Sequence, residues 1–147
     1  MILFFDTSAL IKFFHKEEGT DAVTGLILNE ENKTWISEAA EIEFLSSLYR
    51  RFRNKEIDEN ELEVAISAFE EQMESFHIEP FGNVTINEAK LLLKKYGKTL
   101  GLRTLDAFQL AAFTLICEDD WAFVTSDTRL YSIAMQMGFN TINPLDK

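Results

Sequence analysis

Apolar positions fall along the chain in two rhythms. Ile2-Leu3-Phe4-Phe5 is an unbroken apolar run that stops at Asp6, and a run without alternation suits a strand covered on both faces. Thr7-Ser8 followed by Ala9-Leu10-Ile11-Lys12-Phe13-Phe14 predicts a helix with its cap at the junction. The opening is therefore strand, carboxylate, helix. Next, Thr20 is expected to cap a short helix through Ala22, Val23, Leu26 and Ile27 that ends near Asn29, and Thr34-Trp35-Ile36 reads as a short strand. Ser37 is placed to cap a helix over 38–54 with Leu45, Leu48 and Phe52 in its apolar stripe. Asp58 with Glu61 has capping-box spacing, and Leu62, Ile66, Phe69, Met73 and Phe76 follow at helical intervals.

The second half repeats the alternation. His77-Ile78-Glu79-Pro80 suggests a short strand, and Thr85 with Glu88 suggests a capping box for a helix through Leu92, Leu93 and Tyr96 that Gly97 ends. Gly101 marks a second break, after which Thr104 caps a helix from Leu105 to about Cys117. Ala122-Phe123-Val124-Thr125 is a strand that again runs into an acid, Asp127, after Ser126. A helix to Met137, a Gly138 C-cap and a last strand over 139–142 complete the pattern. Strands alternating with helices predict an α/β fold, a three-layer α/β/α sandwich around a mainly parallel central sheet of four to five strands. With 147 residues and 46% apolar content, a single domain over 1–147 is expected.

Composition adjusts this picture in three places. One cysteine, Cys117, excludes an internal disulfide framework and suits a reducing compartment, so a cytoplasmic protein is expected. The longest apolar stretch, 110–117, is interrupted by Thr114 and is too short to cross a bilayer, and no basic region precedes the first apolar run, so neither a membrane span nor a signal peptide is expected. The net charge of −11 opposes a polyanionic partner at first sight. However, residues 56–79 hold nine of the 25 acids and none of the 14 bases, so the rest of the chain is close to neutral. The bases group as Arg50, Arg51, Arg53, Lys55 and as Lys90, Lys94, Lys95, Lys98, Arg103, which reads either as solvated helix faces or as a nucleic-acid footprint.

The chemistry lies in the acids. In open α/β sheets ligands bind outside the carboxyl ends of the strands, which puts Asp6 and Asp127 on one edge. Each could be an ordinary helix cap. Carboxylates brought together repel unless a cation intervenes, and oxygen-only ligation suits Mg²⁺ or Mn²⁺. The two histidines and one cysteine lack zinc-ligand spacing.

Four segments then carry a resemblance: Phe5-Asp6-Thr7-Ser8-Ala9-Leu10-Ile11-Lys12; Ile36-Ser37 through Glu43-Phe44-Leu45-Ser46-Ser47-Leu48-Tyr49-Arg50-Arg51; Leu102-Arg103-Thr104-Leu105-Asp106-Ala107-Phe108-Gln109-Leu110-Ala111-Ala112; and Phe123-Val124-Thr125-Ser126-Asp127-Thr128-Arg129-Leu130. Together, in this order, they resemble PIN-domain proteins, and among these the VapC-type toxin ribonucleases of prokaryotic toxin–antitoxin pairs. The resemblance implies metal-binding, catalytic acids at Asp6, Glu43, Asp106 and Asp127, with hydroxyl positions at Ser8, Thr125 and Ser126 beside the substrate. Glu38 and Glu41 share the predicted helix of Glu43, and residues two apart face different ways, so not all three can enter one crevice. It also implies hydrolysis of RNA by metal-activated water to 5′-phosphate and 3′-hydroxyl ends, a small antitoxin partner, and a homodimer. Arg103 and Arg129, close to Asp106 and Asp127 in sequence, are candidates to hold backbone phosphates. Phe13, Phe14, Phe44 and Phe52 either fill the core or leave a patch for a partner.

Two rival readings remain at this stage. A haloacid-dehalogenase-type phosphatase also begins with strand then Asp, but needs a second Asp two residues on, where Ser8 stands. A catalytically silent binding protein of the same fold would keep the acids without turnover, and a Mg²⁺ or Mn²⁺ thermal-shift titration separates it from an enzyme.

Overall fold

The computed structural model describes residues 1–146. Its elements, in chain order, are β1 (Ile2–Phe5), α1 (Thr7–Phe14), α2 (Thr20–Leu28), β2 (Lys33–Ser37), α3 (Glu38–Arg53), α4 (Glu59–Gln72), β3 (His77–Glu79), α5 (Asn83–Leu100), α6 (Thr104–Ile116), β4 (Trp121–Val124), α7 (Thr128–Gln136) and β5 (Asn140–Ile142). The five strands form one sheet in the order β3-β2-β1-β4-β5, and every pairing is parallel. The expected α/β/α sandwich is thus the fold, with the sheet wholly parallel.

β1 is central, and its unbroken apolar run follows from that position. Successive side chains point to opposite faces. Leu3 and Phe5 enter one core with Leu10, Phe44, Leu48 and Phe69 from α1, α3 and α4, while Phe4 enters the other with Leu110, Phe113 and Leu130 from α6 and α7. Both faces being covered, no position is left for a polar residue. Phe14 fits among Phe44, Phe69 and Phe76 by edge-on ring contacts, and Phe44 is fully buried. Of the four phenylalanines in question only Phe52 is exposed, so core filling accounts for the others.

The chain order reverses between β1 and β4. From β1 the chain moves outward to β2 and β3, then crosses to β4 on the other side of β1. The carboxyl ends of β1 and β4 therefore flank the switch-point crevice of an open α/β sheet. Phe5 pairs with Val124 in register, so Asp6 and Thr125 leave the sheet side by side, and the Asp6 N–H donates to the Val124 carbonyl at 3.0 Å.

Several caps lie where the sequence puts them. The Ser37 hydroxyl accepts from the Ala39 N–H, and the Asp58–Glu61 capping box is complete. Others do not. Gly19, in the left-handed region, is the N-cap of α2, and Thr20 is the first helical residue, its hydroxyl accepting from the Glu17 N–H instead. α5 begins at Asn83, so Thr85 sits inside the helix and faces the core rather than capping it. α5 also runs through Gly97 and ends at Gly101, whose φ of +68° supplies the left-handed cap a side chain would resist. Arg103, not Thr104, occupies the N-cap of α6.

The acidic segment is resolved by α4. Its Leu62, Ala65 and Phe69 pack inward, while Glu59, Glu61, Glu63, Glu70 and Glu71 are exposed and none of them lines the crevice. No helix among the described residues is long and apolar enough to cross a membrane.

Candidate active site

A cleft of about 650 Å³ opens at the switch point, and Asp6, Glu43 and Asp106 all line it. Asp6 caps α1 through the Ala9 N–H, which donates to Oδ1 at 3.0 Å, so the ordinary capping role is real. It does not exhaust the side chain. Ser8 Oγ donates to Asp6 at 2.8 Å, and Thr125 Oγ1 donates to Oδ2 at 2.6 Å. Ser8 in turn accepts from the Ser126 N–H, and Thr125 accepts from the Asp127 N–H. The two loops after β1 and β4 are thus knitted together around one carboxylate.

Thr125, expected beside the substrate, is completely buried and commits its hydroxyl to Asp6. Ser8 lines the cleft but also serves Asp6, and as a hydroxyl in the place of a second acid it disposes of the phosphatase reading. Ser126 lines the cleft.

Glu43 comes from the opposite wall, α3. Of the three glutamates at the start of that helix it alone lines the cleft, while Glu38 accepts from the Phe81 N–H elsewhere. Gln109 Nε2 donates to Glu43 Oε1 at 2.9 Å and to Thr7 Oγ1 at 3.0 Å. Gln109 is itself 1% exposed, and its Oε1 is buried without a partner. The sequence reading missed this residue. Its signal was a lone amide within an apolar helix, one turn after Asp106 and so on the same face.

Asp106 lies in the first turn of α6, where the helix dipole favours negative charge. Asp127 caps α7 through the Leu130 N–H at 2.9 Å and lines an adjoining pocket with Ser126, Arg103 and Arg129. Arg129 also donates to the Gly101 carbonyl at 3.2 Å. Both arginines act on the Asp106 carboxyl by their charge. Three of the expected acids therefore share one cleft and the fourth borders it. Among the described residues no three Asp, Glu, His or Cys side chains form a ready-made cage for an ion; Asp6, Glu43 and Asp127 are each engaged by hydrogen bonds.

The electrostatics of the cleft are those of uncompensated acids. Burial pushes the Asp6 carboxyl up to about 6 against the hydrogen bonds from Thr125, Ala9 and Ser8, with Asp106 adding repulsion. Burial likewise pushes Glu43 up to about 7 despite the Gln109 hydrogen bond, with Asp6 and Asp106 repelling it. Asp106 is raised by burial and by Asp127, while Arg103 and Arg129 pull the other way. No lysine or arginine forms an ion pair with any of the four acids among the described residues. Clustered oxygen donors with unneutralised charge fit a hard divalent cation such as Mg²⁺ or Mn²⁺.

The cleft has a second end that the sequence reading did not assign. Lys12, Glu17, Arg50 and Arg51 line it beyond the acids, and Glu17 pairs with both Lys12 and Arg51.

No curated protein matches the sequence significantly. Among solved structures, FitAcB from Neisseria gonorrhoeae is similar with a TM-score of 0.68 at 19% identity over 100% of both chains. VapC20 of Mycobacterium tuberculosis, described as a sarcin-ricin loop cleaving toxin, aligns with a TM-score of 0.69 at 15% identity over 93% of this chain and 95% of that one. DNA-bound VapBC from Salmonella typhimurium aligns with a TM-score of 0.67 at 12% identity over 98% of each chain. At such identities the likeness is one of fold. The sequence itself matches the PIN domain family model over residues 3–135, a span that holds β4 and the strands before it, the switch between β1 and β4, and all four acids; the chain belongs to the PIN domain family.

Proposed function

We propose that this protein is a divalent-metal-dependent endoribonuclease, the toxin of a toxin–antitoxin pair, with Asp6, Glu43 and Asp106 holding Mg²⁺ or Mn²⁺ and Asp127 completing the set from the adjoining pocket. The observation that carries this reading is the cleft itself, which the buried Asp6 and the partly buried Glu43 and Asp106 line together without a cationic side chain paired to them. A structural ion-pair network would have brought lysine or arginine in. A bound divalent ion supplies Lewis-acid charge at a phosphodiester and lowers the pKa of water. The chain's own contribution is positional. Ser8 and Thr125 fix the direction of Asp6, and Gln109 fixes Glu43. Glu43, oriented by Gln109 on the α3 wall, would hold the ion directly or through a water. Arg103 and Arg129, exposed beside Asp127, are suited to backbone phosphates.

The RNA substrate is supported by the family and by the description of VapC20 as a cleaving toxin. An antitoxin partner is supported by the VapBC neighbour. A homodimer and a cytoplasmic setting complete the proposal. The test is incubation with structured and unstructured RNAs in Mn²⁺, comparing wild type with Asp127→Asn. Wild type should cut, leaving 5′-phosphates, and the variant should lose at least about 100-fold in rate while keeping its fold. Equal cutting by both, or none by wild type on any RNA, would reject the assignment. The silent-binder reading draws on the absence of a preformed ion cage among the described residues, and it predicts no cleavage.

A further inference from the structure

Glu17 does something unusual for a loop acid at the mouth of a cleft. Its two carboxylate oxygens engage two different walls, Lys12 Nζ to Oε1 at 3.1 Å and Arg51 to Oε2 at 2.8 Å. Lys12 lies in the last turn of α1 and Arg51 in the last turn of α3. Both side chains are largely shielded, Lys12 at 9% and Arg51 at 18% exposure, so their heads are aimed at one point rather than waving in solvent.

The loop that delivers Glu17 is built for it. Its N–H donates to Thr20 Oγ1 at 2.9 Å, and its carbonyl accepts from the Thr20 N–H at 3.2 Å. Gly19 follows in the left-handed region, and a Cβ there would come within 3.0 Å of the Lys12 chain and of Leu145. Only glycine lets the loop press this closely on the lysine.

The geometry runs along the cleft. Both α1 and α3 start at the acid end and lead away from it. At 1.5 Å per residue, Lys12 lies about 9 Å along α1 from Asp6, and Arg51 about 12 Å along α3 from Glu43. Between the two ends the lining is uncharged, with the hydroxyls of Ser46 and Ser47 on α3 and the apolar Ile11 on α1. Acids at one end, an uncharged lining between and a convergent pair of cations at the other match a chain whose charges recur at intervals.

We propose that Lys12 and Arg51 form a subsite for a backbone phosphate of the RNA strand, away from the cut bond, and that Glu17 occupies this subsite in the free protein as a carboxylate stand-in. The entering strand displaces Glu17, so affinity is held down by an internal competitor. The substrate class rests on the nuclease reading above, but the subsite is tested without cleavage. The bland alternative is a clamp that ties the loop to α1 and α3 and affects stability alone.

The experiment is fluorescence anisotropy of the full chain with a labelled, uncleavable 2′-O-methyl oligonucleotide in EDTA, over a salt series. Glu17→Gln should bind about three- to tenfold tighter than wild type across the salt series, with a similar log–log slope because the same cations meet the strand in both complexes. Glu18→Gln, which removes a charge from the same cleft with no ion pair, controls for overall charge and should bind like wild type. Adding Arg51→Ala to Glu17→Gln should remove most of the gain, and Arg51→Ala alone should loosen binding about threefold, which keeps a readout if Glu17→Gln folds poorly. Unchanged affinity in Glu17→Gln and Arg51→Ala, an equal gain in Glu18→Gln, a gain that survives Arg51→Ala, or no binding by any variant would overturn the proposal. Wild type that binds as expected but does not cut in Mn²⁺ would instead reject the nuclease reading and leave the subsite standing.

Discussion

Glu43 lies in a place that costs stability. In the unfolded chain its carboxyl titrates near 4.5, and in the fold burial first, then Asp6 and Asp106, push it to about 7. Between those values the folded protein holds the extra proton, so this group makes stability fall as pH rises through that window and leaves it flat above. Glu43→Gln keeps the Gln109 hydrogen bond and removes the charge. In EDTA at pH 8 it should therefore be more stable than wild type by about 1–2 kcal/mol, discounted for its partial exposure. In Tm that is a rise of about 3–6 °C, closing as pH is lowered to 4; a Tm at or below wild type at pH 8 would mean the acid is not strained. At this scale the sequence was legible where chain order placed a residue. Asp6 and Asp127 could be found because each follows an apolar strand. Gln109 was hidden because its partner Glu43 is 66 positions away, and Thr125 was named without its partner because Asp6 is 119 positions away.

At the level of elements, turn chemistry decided where the reading held and where it slipped. The Asp58–Glu61 pair is a capping box because solvent surrounds the start of α4, whereas the same spacing at Thr85 and Glu88 falls inside α5, where Thr85 is buried against the core. Two glycines competed to end α5. Gly97 is helical with its nearest outside atom, the Leu102 carbonyl oxygen, at 3.8 Å from a built Cβ, and Gly101 is left-handed. Opposite responses to one substitution should follow. Gly97→Ala is expected to stabilise by about 0.5–1 kcal/mol through helix propensity, and Gly101→Ala to destabilise by about 1 kcal/mol through strain. Urea denaturation measures both, and destabilisation by Gly97→Ala would mean α5 does end there.

Across the whole molecule, charge and topology divide the labour. The parallel order β3-β2-β1-β4-β5 creates one crevice, and the acids reach it from α1, α3, α6 and the loop after β4. Nine acids without a Lys or Arg fall in residues 56–79, in and around α4, and none of them lines that crevice, so a net charge of −11 does not forbid a polyanion at the cleft. Strand–helix alternation made the layers readable from the chain, but the crossing from β3 to β4 and the registry of Phe5 with Val124 are long-range choices that no local pattern encodes. The proposed function requires that acids from separate walls of this crevice hold a divalent cation together. Calorimetric titration of Mn²⁺ into metal-free protein at pH 8 tests it most directly, comparing wild type with Asp106→Asn. Wild type should bind with saturable heat and the variant at least about tenfold more weakly; no binding by wild type at millimolar Mn²⁺, or equal binding by the two, would contradict it.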